Sequence, residues 1–264
     1  VLAGGGSSLD AVVAAVRGLE DCPVFNAGCG AVLNEAGELE LDAALMEGAT
    51  RRAGAVAGVC RHRPIDAARA VLLDGRHVLL AGPGADAFAE AAGVAAIDAS
   101  RWVTPFRRAQ WERARERSAA GRSGGTVGAV ARDPSGRMAA ATSTGGILGK
   151  RAGRVSDSAL FGCGTWADDA TCAVSATGEG ELFIRSAFAA RVAAGLRAGR
   201  SLARACGDAL ADVEALGGSG GCIAVDRDGG LALPFDTPGM SRGVLREGGE
   251  PRVSMGPEAP DYFA

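Results

Sequence analysis

Leu9, Val12, Val13, Val16 and Leu19 recur at three- and four-residue intervals behind a pair of serines. That spacing predicts a helix over residues 7–21, capped by Ser7 or Ser8. Phe25-Asn26-Ala27-Gly28-Cys29-Gly30 breaks the pattern. Leu39 and Leu41 then alternate with acids, which predicts short strands over 31–34 and 38–43 around a turn at Gly37. The pattern continues with a small-residue strand at 53–60, a helix at 64–74 opened by Pro64, a buried strand at 77–81 and a helix at 85–92. Further on, 126–131 and 138–143 form a hairpin turned at 133–136, followed by a strand at 171–177 and helices at 182–198 and 202–216. A closing hairpin pairs 222–226 with 231–235 around Asp228-Gly229-Gly230. Helices and strands alternate in both halves, so the class is α/β or α+β, and there is no solenoid repeat.

One segment departs from this pattern. Residues 101–125 carry Arg101, Arg107, Arg108, Arg113, Arg115, Arg117 and Arg122 with Glu112 and Glu116 interleaved, and end in Ser123-Gly124-Gly125. They read as an exposed charged helix running into a flexible linker. With Trp102 and Trp111, the arginines also suggest a single-strand nucleic-acid surface. The glutamates oppose that reading, as does a net charge of −3 from 28 basic and 31 acidic groups.

Composition narrows the chemistry. Hydrophobic residues at 47% supply a core, and no apolar run reaches the roughly 18 residues of a membrane span. The seven cysteines are odd in number and scattered, which reads as small buried hydrophobes in a reducing, cytoplasmic setting. Only His62 and His77 are available for histidine chemistry, and Lys150 is the single lysine.

Familiar motifs fail on context. Gly121–Gly125 and Gly217–Gly221 match G-x-S-x-G, but Ser219 has a helix before it and a strand after it, the reverse of a nucleophile elbow. Gly149-Lys150 is followed by arginine, and position 144 is threonine, so no phosphate loop is present. His62 and His77 lack zinc-site spacing, and Lys150 reads as a loop residue.

Threonine remains. Thr126 follows the linker directly and opens a strand. β-propensity alone explains a threonine there. Cutting the Gly125–Thr126 bond, however, would free an α-amine with a pKa of about 7.7–8.0, a base carried by the nucleophile itself. Thr142-Ser143-Thr144-Gly145-Gly146 ends the second arm of the same hairpin and brings hydroxyls and bare N–H groups to a strand end. Arg154 and Asp157 suit the carboxylate and ammonium of a small zwitterion, although an i,i+3 surface pair is the plainer reading. Thr177-Gly178-Glu179-Gly180 supplies another strand-end threonine and more glycine amides.

These blocks resemble the plant-type L-asparaginase/isoaspartyl peptidases, relatives of the aspartylglucosaminidases. The likeness is carried by Gly125-Thr126-Val127-Gly128-Ala129-Val130-Ala131, Ala141-Thr142-Ser143-Thr144-Gly145-Gly146, Gly153-Arg154-Val155-Ser156-Asp157-Ser158 and Ala176-Thr177-Gly178-Glu179-Gly180-Glu181. Residues 20–30, Leu41-Asp42-Ala43 and 233–240 continue it in the family's order. The resemblance implies an N-terminal-nucleophile hydrolase of α+β class, a four-layer αββα sandwich, apparently without the family's first strand. It implies a single domain over 1–264, self-cleaved at Gly125–Thr126 into subunits 1–125 and 126–264, with 101–125 an exposed linker. Thr126 would be nucleophile and base, Thr144 its support, and Thr177 with the Gly178 amide the oxyanion hole. Arg154, Asp157 and Gly180 would bind substrate, with Asn26 in a structural role beside the nucleophile. Backbone carbonyls of Leu19, Glu20, Cys22, Phe25, Ala27 and Cys29 would enclose a structural sodium ion, no other cofactor being required. The expected activity is hydrolysis of L-asparagine and β-aspartyl dipeptides by a cytoplasmic dimer of αβ heterodimers, acting on neither nucleic acid nor membrane. A glycosylasparaginase and a non-catalytic or truncated homologue are the rival readings; Gly146 favours the asparaginase branch.

Overall fold

Two sheets, one antiparallel and one antiparallel but for a parallel edge strand, with helices packed against them, are described by a computed structural model covering residues 1–116, 124–257 and 263. In chain order, α1 (Ser8–Asp21) precedes β1 (Leu41–Glu47), β2 (Ala53–Val59), α2 (Pro64–Asp74), β3 (Leu79–Ala81), α3 (Gly82–Ala91), α4 (Ala99–Trp102) and α5 (Pro105–Glu116). After the described gap come β4 (Val127–Arg132), β5 (Met138–Thr144), β6 (Thr165–Ala167), β7 (Cys172–Gly178), α6 (Gly180–Ser186), α7 (Phe188–Arg197) and α8 (Leu202–Ala215). The chain closes with β8 (Gly220–Asp226), β9 (Leu231–Ala232), β10 (Arg242–Val244) and β11 (Arg252–Ser254). The first sheet has the order β3-β2-β1-β5-β4 and the second β6-β7-β8-β9, with β10 and β11 forming a separate ribbon.

The β4–β5 hairpin adds to the first sheet through β1, with Ala43 opposite Ser143 and Ala44 opposite Thr142. The first sheet is therefore built from chain on both sides of Gly125–Thr126. Its alternate residues feed two cores, as the two-residue strand period requires. Ala139 and Ala141 join Val12, Val16, Ile65 and Leu72 from α1 and α2. Met138 and Ala140 meet Ala167, Ala173 and Val225 of the second sheet. A third core joins Phe183, Phe188, Val192, Cys206 and Val213 of α6–α8 to Val174 and Cys222. Where the sheets meet, a Cβ at Gly128 would collide with the Ser175 hydroxyl, so glycine is what lets β4 lie so close to β7.

The helix at 7–21 forms with Ser7 as its cap, the Ser7 hydroxyl accepting the Asp10 N–H at 3.1 Å. Four expectations are corrected. Residues 31–34 form no strand, because their backbone groups are taken by other partners: the Val32 N–H by the Asn26 side chain, the Leu33 carbonyl by Gly149, and the Asn34 carbonyl by the Trp111 indole. The strand at 77–81 shortens to β3, a parallel edge strand that is exposed rather than buried. The helix at 182–198 is two, broken at Ala187, whose φ of 48° is left-handed. Finally, the described part of the arginine-rich segment is a helix docked by one face, with Arg101, Arg113 and Arg115 exposed as expected. Arg107 is buried and donates to the Gly30 carbonyl, Gly30 donates back to the Trp102 carbonyl at 3.1 Å, and Trp102 is buried. Arg117, Arg122 and Ser123, and with them most of the first G-x-S-x-G stretch, lie outside the described residues. All seven cysteines are free thiols, and no described helix is long and apolar enough to cross a membrane.

Candidate active site

The β4–β5 register places Val127 opposite Ser143, which sets Thr126 beside Thr144 at the mouth of the hairpin. The Thr126 hydroxyl donates to that of Thr144 at 3.5 Å. Thr144 donates in turn to the carbonyl of Gly125 at 2.8 Å and accepts the Gly146 N–H at 2.9 Å. A second donor reaches the same carbonyl: Asn26 Nδ2, at 2.8 Å. Asn26 also donates to the Gly146 carbonyl at 2.7 Å and accepts the Val32 N–H at 2.8 Å, so its amide orientation is over-determined. Glycine is required opposite it, since a Cβ at Gly145 would stand 2.6 Å from Asn26 Oδ1. Asn26 thus touches the bond ahead of Thr126 directly. Two hydrogen bonds polarise that carbonyl, and one of its two donors, Thr144, also receives the Thr126 hydroxyl.

Arg154 and Asp157 occupy the loop after β5. Arg154 pairs with Glu181 at 2.6 Å through Nε and 2.9 Å through Nη2, while Nη1, buried, has no hydrogen-bond partner among the described residues. Asp157 is buried, and its Oδ2 is likewise without a partner. Burial pushes the Asp157 carboxyl up to about 7, against the opposing pull of Arg154. For Arg154, burial disfavours the charge, but the hydrogen bonds and charge of Glu181 more than offset it and hold the guanidinium above its ordinary range. A cation site and an anion site, each with one buried unused atom, match a zwitterion.

The glycines locate this clamp. A Cβ at Gly146 would stand 3.0 Å from Arg154 Nη1, and one at Gly180 2.9 Å from Nη2 and 2.6 Å from Asp157 Oδ1. Gly146 follows Thr144 by two residues and Gly180 follows Thr177 by three, so the ends of β5 and β7 converge on the clamp. Thr177 and Gly178 pair with Gly221 and Gly220 at the end of β7. A Cβ at Gly178 would run into Phe183 and the Ser219 carbonyl, which leaves only glycine room there.

The sequence model of the family described as Asparaginase matches residues 1–255. The chain belongs to the asparaginase family. It is 49% identical to the isoaspartyl peptidase of Salmonella typhimurium over 97% of this chain and 86% of that one. It is 46% identical to the Escherichia coli isoaspartyl peptidase over 100% of this chain and 87% of that one. The human isoaspartyl peptidase/L-asparaginase is 39% identical, over 94% and 83%.

In this asparaginase-family chain the structure gathers Asn26, Gly125, Thr126 and Thr144 into one hydrogen-bonded group, and Arg154, Asp157 and Gly180 into a second beside Gly146. Sequence reasoning missed three contributors. Glu181 was in view as part of a block, yet its bidentate hold on Arg154 is visible only in space. Lys150 is a loop residue, as expected, but a buried one, its Nζ donating to the Glu40 carbonyl at 2.6 Å. Burial depresses the Lys150 pKa. Asp42 is fully buried beneath the 150–157 loop. The signals available for it were the acids alternating with Leu39 and Leu41, which read as strand periodicity, and the Leu41-Asp42-Ala43 block of the family resemblance; neither names its contacts.

The loop after α1 curls onto itself. The Cys29 N–H reaches the Glu20 carbonyl at 2.7 Å, Cys22 reaches that of Leu19, and Phe25 reaches that of Cys22. Each of these three carbonyls retains a second lone pair, so the curl offers oxygen donors of the kind a hard cation takes.

Proposed function

We propose that this chain is a self-cleaving threonine amidohydrolase that hydrolyses L-asparagine and β-aspartyl dipeptides through an acyl-enzyme on Thr126. The observation that carries this reading is the Gly125 carbonyl held by both Asn26 and Thr144, with the Thr126 hydroxyl on Thr144. In the precursor, Thr126 Oγ attacks that carbonyl, Asn26 and Thr144 take the developing negative charge, and water hydrolyses the resulting ester. The products are subunit 1–125 and subunit 126–264, the second carrying a free amine on its nucleophile. Because β1 and β5 pair across this division, the two stay in one sheet.

In the mature form, the Thr126 amine accepts the hydroxyl proton as Oγ attacks the substrate's side-chain amide carbon. Thr177 and the Gly178 N–H stabilise the oxyanion, while Thr144 orients the hydroxyl. The leaving amine departs with the proton, and water then releases L-aspartate from the ester. Arg154, through Nη1, takes the substrate's α-carboxylate, and Asp157 its ammonium, with Gly180 giving clearance. The names of the relatives support this substrate class.

The same reading includes an αββα sandwich, supported by the two helix-facing cores and the inter-sheet core. It includes a sodium ion held by carbonyls of Leu19, Glu20, Cys22, Phe25, Ala27 and Cys29, which would stiffen the loop bearing Asn26. Pairing into a dimer of αβ heterodimers rests on the family resemblance, and a cytoplasmic setting on the free thiols.

Denaturing intact mass after incubation at neutral pH, with Thr126→Ala alongside, tests the reading. Two fragments from the wild type, one beginning at Thr126, and a single uncut Thr126→Ala chain are expected. Cleavage and hydrolysis both surviving Thr126→Ala would overturn it. Offering a glycosylated asparagine beside a β-aspartyl dipeptide separates the glycosylasparaginase rival. Tight binding without turnover separates the non-catalytic one.

A further inference from the structure

The residues that bind substrate in this reading all follow Thr126, yet the backbone that carries two of them is held by acids from before the cleavage point. Glu40 Oε1 accepts the Gly153 N–H at 2.9 Å, and Asp42 Oδ2 accepts the Ser156 N–H at 2.7 Å. Gly153 and Ser156 are the immediate chain neighbours of Arg154 and Asp157. The Glu40 main-chain carbonyl fixes the other end of the loop by accepting Lys150 Nζ at 2.6 Å.

The β1–β2 register shifts between Leu41 and Ala43 because β2 carries a bulge: Ala57 and Gly58, the latter at a φ of 65°, both stand opposite Asp42. Its second oxygen, Oδ1, accepts the Gly58 N–H from β2 at 2.8 Å, so the carboxylate ties β2 to the clamp loop. The fully buried Asp42 charge has the buried Lys150 ammonium as its near counter-charge, and Arg154 adds a second cation. Asp157 and, through its bidentate hold on Arg154, Glu181 belong to the same group of charges. In such a group the geometry is set by a few charge-assisted hydrogen bonds.

We propose that Glu40 and Asp42 are positioning residues for substrate recognition: by holding the N–H groups of Gly153 and Ser156 they set the spacing of Arg154 and Asp157. The proposal rests on the clamp reading above and deepens it. Substrate affinity then depends on the first subunit, although the groups touching substrate belong to the second.

The test compares kcat/KM for β-aspartyl-leucine with that for β-alanyl-leucine, which lacks only the α-carboxylate taken by Arg154. It uses self-cleaved wild type, Asp42→Asn and Glu40→Leu. Wild type is expected to prefer β-aspartyl-leucine strongly. Both variants are expected to shrink that preference about tenfold, with Glu40→Leu changing the β-alanyl-leucine rate less than about threefold; β-alanyl-leucine keeps the ammonium taken by Asp157, so Asp42→Asn lowers its rate too, by less than it lowers that of the substrate spanning both groups. A variant that merely disturbs the fold around Thr126 lowers both substrates in proportion and keeps the ratio; that result, or no change at all, overturns the proposal. If Asp42→Asn fails to fold or self-cleave, Glu40→Leu, at a less buried position, decides alone. A wild type with no preference for the carboxylate-bearing substrate refutes the clamp reading itself, and is seen before any variant is compared.

Discussion

Asn26 Nδ2 donates to the carbonyl oxygen of Gly125 at 2.8 Å, across 99 residues of chain. It is one of two donors on the carbonyl whose attack would divide the chain. Asn26→Asp keeps an acceptor for the Val32 N–H and removes the donor. Loss of one oxyanion donor is expected to slow self-cleavage by about 10²–10³-fold. Intact mass followed over time gives the rate. An undiminished rate would remove Asn26 from the mechanism.

Asp157 makes binding pH-dependent. Its carboxyl, raised by burial to about 7, must be ionised to receive an ammonium. Below pH 7 it is increasingly neutral, so KM for a zwitterionic substrate is expected to climb about tenfold per pH unit on the acid side and level off above pH 8. The stability effect of the same group runs the other way. An unfolded chain ionises this carboxyl near 3.8, the folded one only near 7, so its contribution to stability is complete below pH 4 and is lost as pH rises through 7. The Tm advantage of Asp157→Asn over wild type should therefore grow from pH 4 to pH 7. A flat difference would show that the buried carboxyl titrates normally.

Trp111 reports whether the arginine-rich helix is docked. Its indole donates to the Asn34 carbonyl at 2.8 Å, and a Cβ at Gly37 would stand 2.9 Å from its ring. Arg108 and Arg115 lie over the same ring at 5.6 and 5.2 Å. Trp111→Ala is expected to cost about 2 kcal/mol, from lost packing and an unpaired carbonyl. An equilibrium urea titration measures it; an exposed linker would show no change in midpoint.

Ala187 separates α6 from α7 at a φ of 48°, a conformation that costs an L-residue about 1–2 kcal/mol. It is exposed, so a substitution disturbs no core. Ala187→Gly should stabilise the protein by about 1 kcal/mol, read as a raised Tm by differential scanning calorimetry. A lowered Tm would mean that the unfolded-state entropy of glycine outweighs the relieved strain.

Much of this was legible in one dimension, for reasons particular to each element. Helices α1, α2 and α8 declare themselves because cap, Pro64 and apolar spacing are local properties. The β4–β5 hairpin is legible for the same reason, and with it the meeting of Thr126 and Thr144. The residue types at the site were also readable, since a nucleophile that lacks a histidine needs another base, and Thr126 at the end of a glycine linker offers one.

What lay outside the sequence is whatever depends on a partner distant in the chain. Residues 31–34 carry strand-like side chains, but their backbone groups are claimed by Asn26, Gly149 and Trp111, so no ladder forms. Arg107 has the composition of a solvent-facing helix residue and is buried because the Gly30 carbonyl takes its guanidinium. Asp42 looks like one more polar residue in an alternating strand; only the fold brings the Gly58 and Ser156 N–H groups to its two oxygens. The sequence by itself determined the local elements and the chemical kinds of group available. Only the tertiary structure decided which of those groups meet, because a buried hydrogen bond is chosen by the fold that excludes water around it.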